Sequence, residues 1–361
     1  MEAFGLALQK ASASEQINQR EIVALLSADA EQMPALFAAA DTVRSNTVGD
    51  AVHLRAIVEF SNYCRKNCLY CGLRRDNKSL PRYRLAEDEI LQAAGKAAAL
   101  GFRTVVLQSG EDLFYSAAAI ARIIERIKQK HDLAVTLSLG ERSREDYRVW
   151  REAGADRYLL KHETADERLF RFLKPGGDLR ERLRCLHWLK ELGYQTGSGN
   201  MVGLPGQSLA TLAEDILLMR DLNVEMAGIG PFLPHHATPL KSAAGGTLEL
   251  TLKTLAVTRL CLPGAHLPAT TALCTLAPDG RRMALGCGAN VIMPNLTPPG
   301  VRDKYLIYPQ KSDITEQPEL ALAGITSLLA ELARPPATGY GHAQNFSGGN
   351  GNGKLEGRVY Q

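Results

Sequence analysis

Segments with strand-like patterning recur at positions 52–60, 104–107, 134–139, 157–160, 195–201, 226–229, 269–273 and 289–293, and helical patterning fills the intervals. Strands that alternate with helices are joined by right-handed crossovers into a parallel sheet. Eight of them within about 250 residues predict a closed (β/α)8 TIM barrel, with an open doubly wound sheet as the alternative. In a barrel, the loops that follow the strands carry the chemistry. The chain of 361 residues divides around this core. Residues 1–48 read as an N-terminal helical segment, with apolar residues at three- and four-residue spacing over 16–26 and 33–43. The barrel spans 49–312, a C-terminal helical segment 313–336, and a flexible tail containing SGGNGNGK 337–361.

The first strand has an unusual second face. Val52, Leu54, Ala56, Val58 and Phe60 share one side, and His53, Arg55, Ile57 and Glu59 the other. Polar positions recur as Thr136 and Ser138, as Arg157 and Lys161, and as Thr196, Ser198 and Asn200. A barrel filled only for stability carries branched apolar residues inside, so this pattern predicts a polar internal cavity.

With 42 basic and 39 acidic residues, the net charge of +3 gives no sign of a nucleic-acid partner. No apolar run reaches the roughly 18 residues of a spanning helix, and the first 30 residues hold no secretory signal, so a cytoplasmic protein with no membrane partner is expected. Seven cysteines, an odd and sparse set, predict metal-bound or buried thiols and not a disulfide framework.

Three of them, Cys64, Cys68 and Cys71, form a C-x3-C-x2-C run directly after the first strand. A structural zinc site is closed by four ligands, whereas an iron-sulfur cluster on three thiolates leaves one iron open. A zinc knuckle completed by a remote histidine remains the alternative reading of these residues. Arg65, Lys66, Arg74 and Arg75 surround the thiols and would offset cluster charge or form a solvated loop. Cys185, Cys261, Cys274 and Cys287 are isolated and read as buried thiols. Gly197, Gly199 and Gly203 miss the dinucleotide fingerprint, and His235 and His236 read as ordinary loop residues.

With Tyr70 before the last cysteine, the motif resembles the radical S-adenosylmethionine (SAM) superfamily. The segments VVLQSGED, TLSLGE, DRYLLKHETA, ELGYQTGSGNMVGLPGQ, GIGPFLPHHATPL and GANVIMPN narrow the likeness to the biotin-synthase-like maturase family of FeFe hydrogenase. That resemblance implies one 4Fe-4S cluster on Cys64, Cys68 and Cys71 and SAM as cosubstrate. It implies that Ser109, Gly110 and Glu111 hold the SAM amine, Glu163 the ribose and Arg182 the methionyl carboxylate, with Tyr70, Ser138, Met201 and Leu204 completing the cofactor site. It implies a substrate chamber of Arg55, Gln108, Thr136, Arg157, Thr270, Thr271, Met293 and Tyr305. Inward Arg55 and Arg157 would be costly without an anion, which favours an anionic ligand. The implied substrate is a cysteine-ligated iron carbonyl cyanide unit. The implied partners are sister maturases and an electron donor such as ferredoxin or flavodoxin, the protein itself being a monomer. A methylornithine synthase and a non-enzymatic iron-sulfur carrier are the competing functions.

Overall fold

A computed structural model describes residues 2–309, 317–344 and 346. Its strands are β1 (His53–Leu54), β2 (Ala56–Ser61), β3 (Thr104–Ser109), β4 (Ala134–Ser138), β5 (Arg157–Leu159), β6 (Gln195–Ser198), β7 (Met201–Val202), β8 (Met226–Ala227), β9 (Gly230–Pro231) and β10 (Val291–Ile292). Strands β2, β3, β4, β5, β6 and β8 pair in that order, all parallel. The ring closes through bridges from Met226 to His266 and from Pro268 to Val291, then through β10 on β1. The strands form the parallel barrel that the alternation predicts, with one displacement. The seventh staves lie at His266 and Pro268, while 269–273, expected as a strand, runs into the helix Thr271–Leu276 with Thr270 at its N-cap.

Alternation builds the wall. Ala56, Val58 and Phe60 on β2, Val105 and Leu107 on β3, and Val135 and Leu137 on β4 point outward into one apolar core shared with the surrounding helices. The N-terminal helices Glu2–Ser12, Gln19–Leu26 and Met33–Val48 pack on this layer, against Leu248–Cys261 and Leu209–Asp221. Asn18 starts the second of them with a capping box: its Oδ1 accepts from Glu21 N at 3.1 Å and its own N–H donates to Glu21 Oε2 at 2.8 Å. Within the C-terminal helical segment expected at 313–336 lies the helix Pro318–Glu331.

Inside the barrel, the register sets Glu59 opposite Gln108, Gln108 opposite Ser138, Thr136 opposite Arg157 and Arg157 opposite Gln195. The polar stripe is real on β2 to β5 but shifts by one residue on β6. There Gln195 faces inward, and Thr196, Ser198 and Asn200 face the helical layer. Thr196 N donates to Glu225, Ser198 Oγ meets His162, and Asn200 donates to Asp215. Polar residues therefore occupy both faces of β6, and sequence alternation cannot choose between them.

Of the tail expected to be flexible over 337–361, residues 337–344 are instead held against the barrel. Ala337 N donates to Val52 O at 2.8 Å, and residues 336–344 then cross the N-terminal mouth of the barrel. Tyr340 O accepts from Arg157 Nη2 at 2.6 Å and from Thr104 Oγ1 at 3.0 Å. Gly341 O accepts from Arg55 Nη2 at 3.1 Å, and Ala343 N donates to Gln195 Oε1 at 2.8 Å. Gly341 has φ +65°, and a Cβ there would stand 2.6 Å from His53 Nδ1, so both conformation and space require glycine. Arg55 and Arg157 are thus met by the chain's own carbonyl oxygens, and their burial does not demand an anionic ligand. The SGGNGNGK stretch lies outside the described residues.

Candidate active site

The cysteine loop leaves the C-terminal end of β2 and is tied from several sides. Arg65 N donates to Glu111 O, Leu69 N to Leu173 O, Gly72 N to Ile307 O and Arg75 N to Lys66 O. Arg82 donates to four carbonyls, those of Asn62, Leu73, Arg74 and Asn77, and so holds both limbs of the loop. Burial pushes the Cys71 thiol up, and Cys68 and Cys64 beside it push in the same direction. Among the described residues no set of three or more His, Cys, Asp and Glu side chains is placed to hold a single metal ion. Three thiols on one loop, without a fourth ligand, fit a cluster with an open iron better than they fit a closed mononuclear site.

The loop after β3 approaches this one closely. A Cβ at Gly110 would stand 2.2 Å from Tyr63 O and 2.9 Å from Cys64 Cβ, so only glycine allows the contact. Gly110 O accepts from Ser109 Oγ and from Asp112 N, each at 2.7 Å. Asp112 in turn takes Arg84 Nε at 2.7 Å and Ser61 Oγ at 2.7 Å, anchoring the segment to β2.

Charge is concentrated at this mouth. Arg182, buried on the helix Leu179–Glu191, donates from Nε to Glu141 Oε1 at 2.7 Å and from Nη1 to Lys161 O at 2.7 Å, with Glu111 Oε1 3.7 Å from Nη2. Lys66 bonds Glu141 at 2.5 Å. Burial alone would raise the Glu141 carboxyl, but Arg182 and Lys66 outweigh it and bring it down to about 2. The Arg182 fork therefore already serves two carboxylates of this chain.

Glu163 has φ +70°, a left-handed backbone rare for such a residue. Its N–H donates to Gly199 O at 2.9 Å and its carbonyl accepts from Met201 N at 3.0 Å, which locks the turn. Asp215 supports the next residues by accepting from Ala165 N and Asn200 Nδ2. Although burial would raise its pKa, Lys161, Lys174 and Arg182 hold the Glu163 carboxylate below the usual value. Beside it Tyr70, Met201 and Leu204 join Leu173 and Phe232 in a small apolar cluster separate from the main core. Ser138 stands part-buried at the end of β4.

Of the expected chamber residues, Thr136 and Thr270 keep buried hydroxyls with no partner among the described residues, and Gln108 meets Tyr305. Thr271 opens its helix, and Met293 follows β10. Glu141, Asp215, His162 and Arg82 were not singled out from the sequence as site residues. Glu141 had a usable signal: it follows a strand at the barrel mouth within TLSLGE. Cys185 and Cys287 are buried, Cys261 and Cys274 part-buried, and all are free.

The model of the radical SAM superfamily matches residues 58–219. The FeFe hydrogenase maturase subunit HydE of Thermotoga maritima is 52% identical over 307 residues, covering 85% of this chain and 88% of that one. The crystal structure of methylornithine synthase (PylB) superposes with a TM-score of 0.79 at 25% identity, over 92% of this chain and 97% of that one. HydG, another maturase of FeFe hydrogenase, superposes at 0.80 with 19% identity over 93% and 76%, a likeness of fold. The chain belongs to the radical SAM superfamily and, within it, to the family of the hydrogenase maturase HydE.

Proposed function

We propose that this protein binds a 4Fe-4S cluster through Cys64, Cys68 and Cys71, cleaves SAM reductively beside it, and acts on a cysteine-ligated iron carbonyl cyanide precursor during assembly of the hydrogenase diiron centre. What supports this reading most is the 52% identity to HydE over 85% of the chain, which extends far beyond the cysteine loop. When bound, the cluster supplies the electron that opens the SAM sulfonium and releases a 5'-deoxyadenosyl radical.

The chain's own residues bind and enclose. Glu163, kept ionised by Lys161 and Lys174, accepts the ribose hydroxyls. Arg182 turns its fork to the methionyl carboxylate, and Ser109, Gly110 and Glu111 receive the amine. Tyr70, Met201 and Leu204 cover the adenine with apolar surface. Gln108, Thr136, Thr270, Thr271, Met293 and Tyr305 line the substrate chamber, with Arg55 and Arg157 giving positive charge at its floor. Residues 336–344 close that floor against water, which a primary carbon radical requires. No helix among the described residues is long and apolar enough to cross a membrane. The protein works as a cytoplasmic monomer with sister maturases and a ferredoxin or flavodoxin.

The test is activation of an apo FeFe hydrogenase by this protein together with its sister maturases, under anaerobic conditions with SAM. Hydrogen evolution that depends on this chain is the expected result. Its absence, with conversion of lysine to methylornithine by the same preparation, transfers the chain to the synthase reading.

A further inference from the structure

Two carboxylates and two cations meet between the cysteine loop and the helix Leu179–Glu191, and they are paired unevenly. Glu141 takes both cations closely: Lys66 Nζ donates to its Oε2 at 2.5 Å and Arg182 Nε to its Oε1 at 2.7 Å. Glu111 faces the same two cations and bonds neither. Its Oε2 stands 3.7 Å from Lys66 Nζ and its Oε1 3.7 Å from Arg182 Nη2, both beyond hydrogen-bond reach. The one donor close to Glu111 is Arg65 Nε, at 3.3 Å from Oε2. Glu111 Oε1 and Arg182 Nη2 therefore face each other with no hydrogen bond to any described residue.

Both carboxylates are fixed in place. Tyr158 Oη and Tyr147 Oη donate to Gly140 O at 2.9 and 3.3 Å, and Arg142 N donates to Tyr147 Oη at 2.9 Å, which holds the backbone on each side of Glu141. Arg65 Nη2 adds a bond to Glu141 O at 3.3 Å. Glu111 lies across Gly140, where φ is +76° and a Cβ would come 2.0 Å from Glu111 Cγ, so only glycine lets that side chain pass.

A charge-assisted hydrogen bond outweighs a longer ion contact, so Glu141 holds Lys66 and Arg182 away from Glu111. Without its charge both cations would close on Glu111, the nearest remaining carboxylate, and fill the gap between Oε1 and Nη2. That gap offers lone pairs on one side and N–H groups on the other. It is the polar complement of an α-amino acid head, whose amine donates and whose carboxylate accepts. We propose that Glu141 is a positioning residue for SAM, which keeps Glu111 Oε1 open to the methionyl amine and Arg182 Nη2 open to the carboxylate without touching SAM itself. The inference rests on the cofactor contacts proposed above. The entering ligand then replaces only the long contact between Glu111 and Arg182, and no formed hydrogen bond has to break.

The test uses the full chain with its cluster, the variant Glu141→Gln, and equilibrium binding of SAM and of methylthioadenosine, which keeps the adenosine and lacks the amino acid. Glutamine is close in size, keeps an oxygen for Arg182 Nε and removes the charge that holds Lys66. SAM should bind about tenfold or more weakly to the variant, while methylthioadenosine binds as it does to the parent and iron content is unchanged. The change that SAM causes in the electron paramagnetic resonance spectrum of the reduced cluster should need correspondingly more SAM. SAM affinity equal to the parent's overturns the proposal, and so does a higher affinity, which would make Glu141 a competitor of SAM for Arg182. An equal loss for both ligands overturns it, because Glu141 then supports the whole mouth. Loss of iron overturns it as well, because the role then belongs to the cysteine loop. Each of these outcomes leaves the proposed function standing. A parent chain that binds no SAM overturns the proposed function and this inference with it.

Discussion

At the C-terminal mouth of the barrel Arg182 faces Glu141 and Glu111, whereas at the N-terminal mouth Arg55 and Arg157 face carbonyl oxygens, a hydroxyl, an imidazole and the sulfur of Met226. Both ends bury guanidinium groups, yet only the upper end supplies opposite charge. Burial raises the cost of the charged form of Arg157 and brings it down to about 10, while Arg182, beside two carboxylates, is driven the other way. An ion-pair network can be rearranged when a charged ligand enters, because the ligand replaces one partner by another. A guanidinium held by backbone carbonyls fixes a chain segment instead. The comparison assigns binding to the upper mouth and closure to the lower.

The largest effect belongs to the cysteines that define the upper mouth. Cys64→Ser, Cys68→Ser or Cys71→Ser should each abolish SAM cleavage and the iron-sulfur signal, read by iron counting and electron paramagnetic resonance. A stable zinc site in the parent chain would end the radical reading.

Acid should separate the two ends next. The Glu141 carboxyl is held near 2, below its ordinary value of 4.5, so its contribution is full above that value and is lost as pH falls towards 2. The shift corresponds to about 3 kcal/mol at most. At the lower mouth His342, bonded to Arg157, and His53, against Gly341, are both held neutral by burial and the neighbouring guanidinium groups, His53 down to about 4, so their contribution is full above the ordinary histidine value and is lost as pH falls through the lowered one. Hydrogen exchange at about pH 4 should therefore release 336–344 before the loops around Cys64 and Glu141 open nearer 2; simultaneous loss at both ends would break the comparison.

Binding follows. Glu163→Gln and Arg182→Ala remove charge-assisted hydrogen bonds of about 1.5–3 kcal/mol, so SAM should bind roughly tenfold to over a hundredfold more weakly with the cluster retained. Unchanged affinity in both variants removes these assignments. The smallest effect is expected below, where Arg157→Met frees Tyr340 O and His342 but also removes a costly buried charge. The net loss should be about 1 kcal/mol in denaturant melts, with faster exchange confined to 336–344.

Short-range features could be read along the chain. The spacing of Cys64, Cys68 and Cys71 and the period-two pattern of Val52 to Phe60 each lie within a dozen or so residues, and local geometry converts them directly into a thiol loop and an inward polar face. The seventh stave was misplaced because its bridges are isolated at His266 and Pro268 and leave no periodic run. Asn200 was read as facing the cavity because its partner, Asp215, lies on a helix whose contact no sequence period reveals.

The sequence by itself determined the parallel barrel, the place of the cysteine loop at the end of its first long strand, and the glycine and carboxylate types that such a loop needs. Tertiary structure alone decided who faces whom. Glu141 reaches Arg182 across 41 residues, and Arg55 reaches Gly341 across 286. The segment from 336 to 344 has no apolar periodicity, because its order comes from hydrogen bonds that its backbone accepts and donates, and a backbone carbonyl is the same in every residue. No reading of side chains along the chain could have identified it as the closure of the barrel.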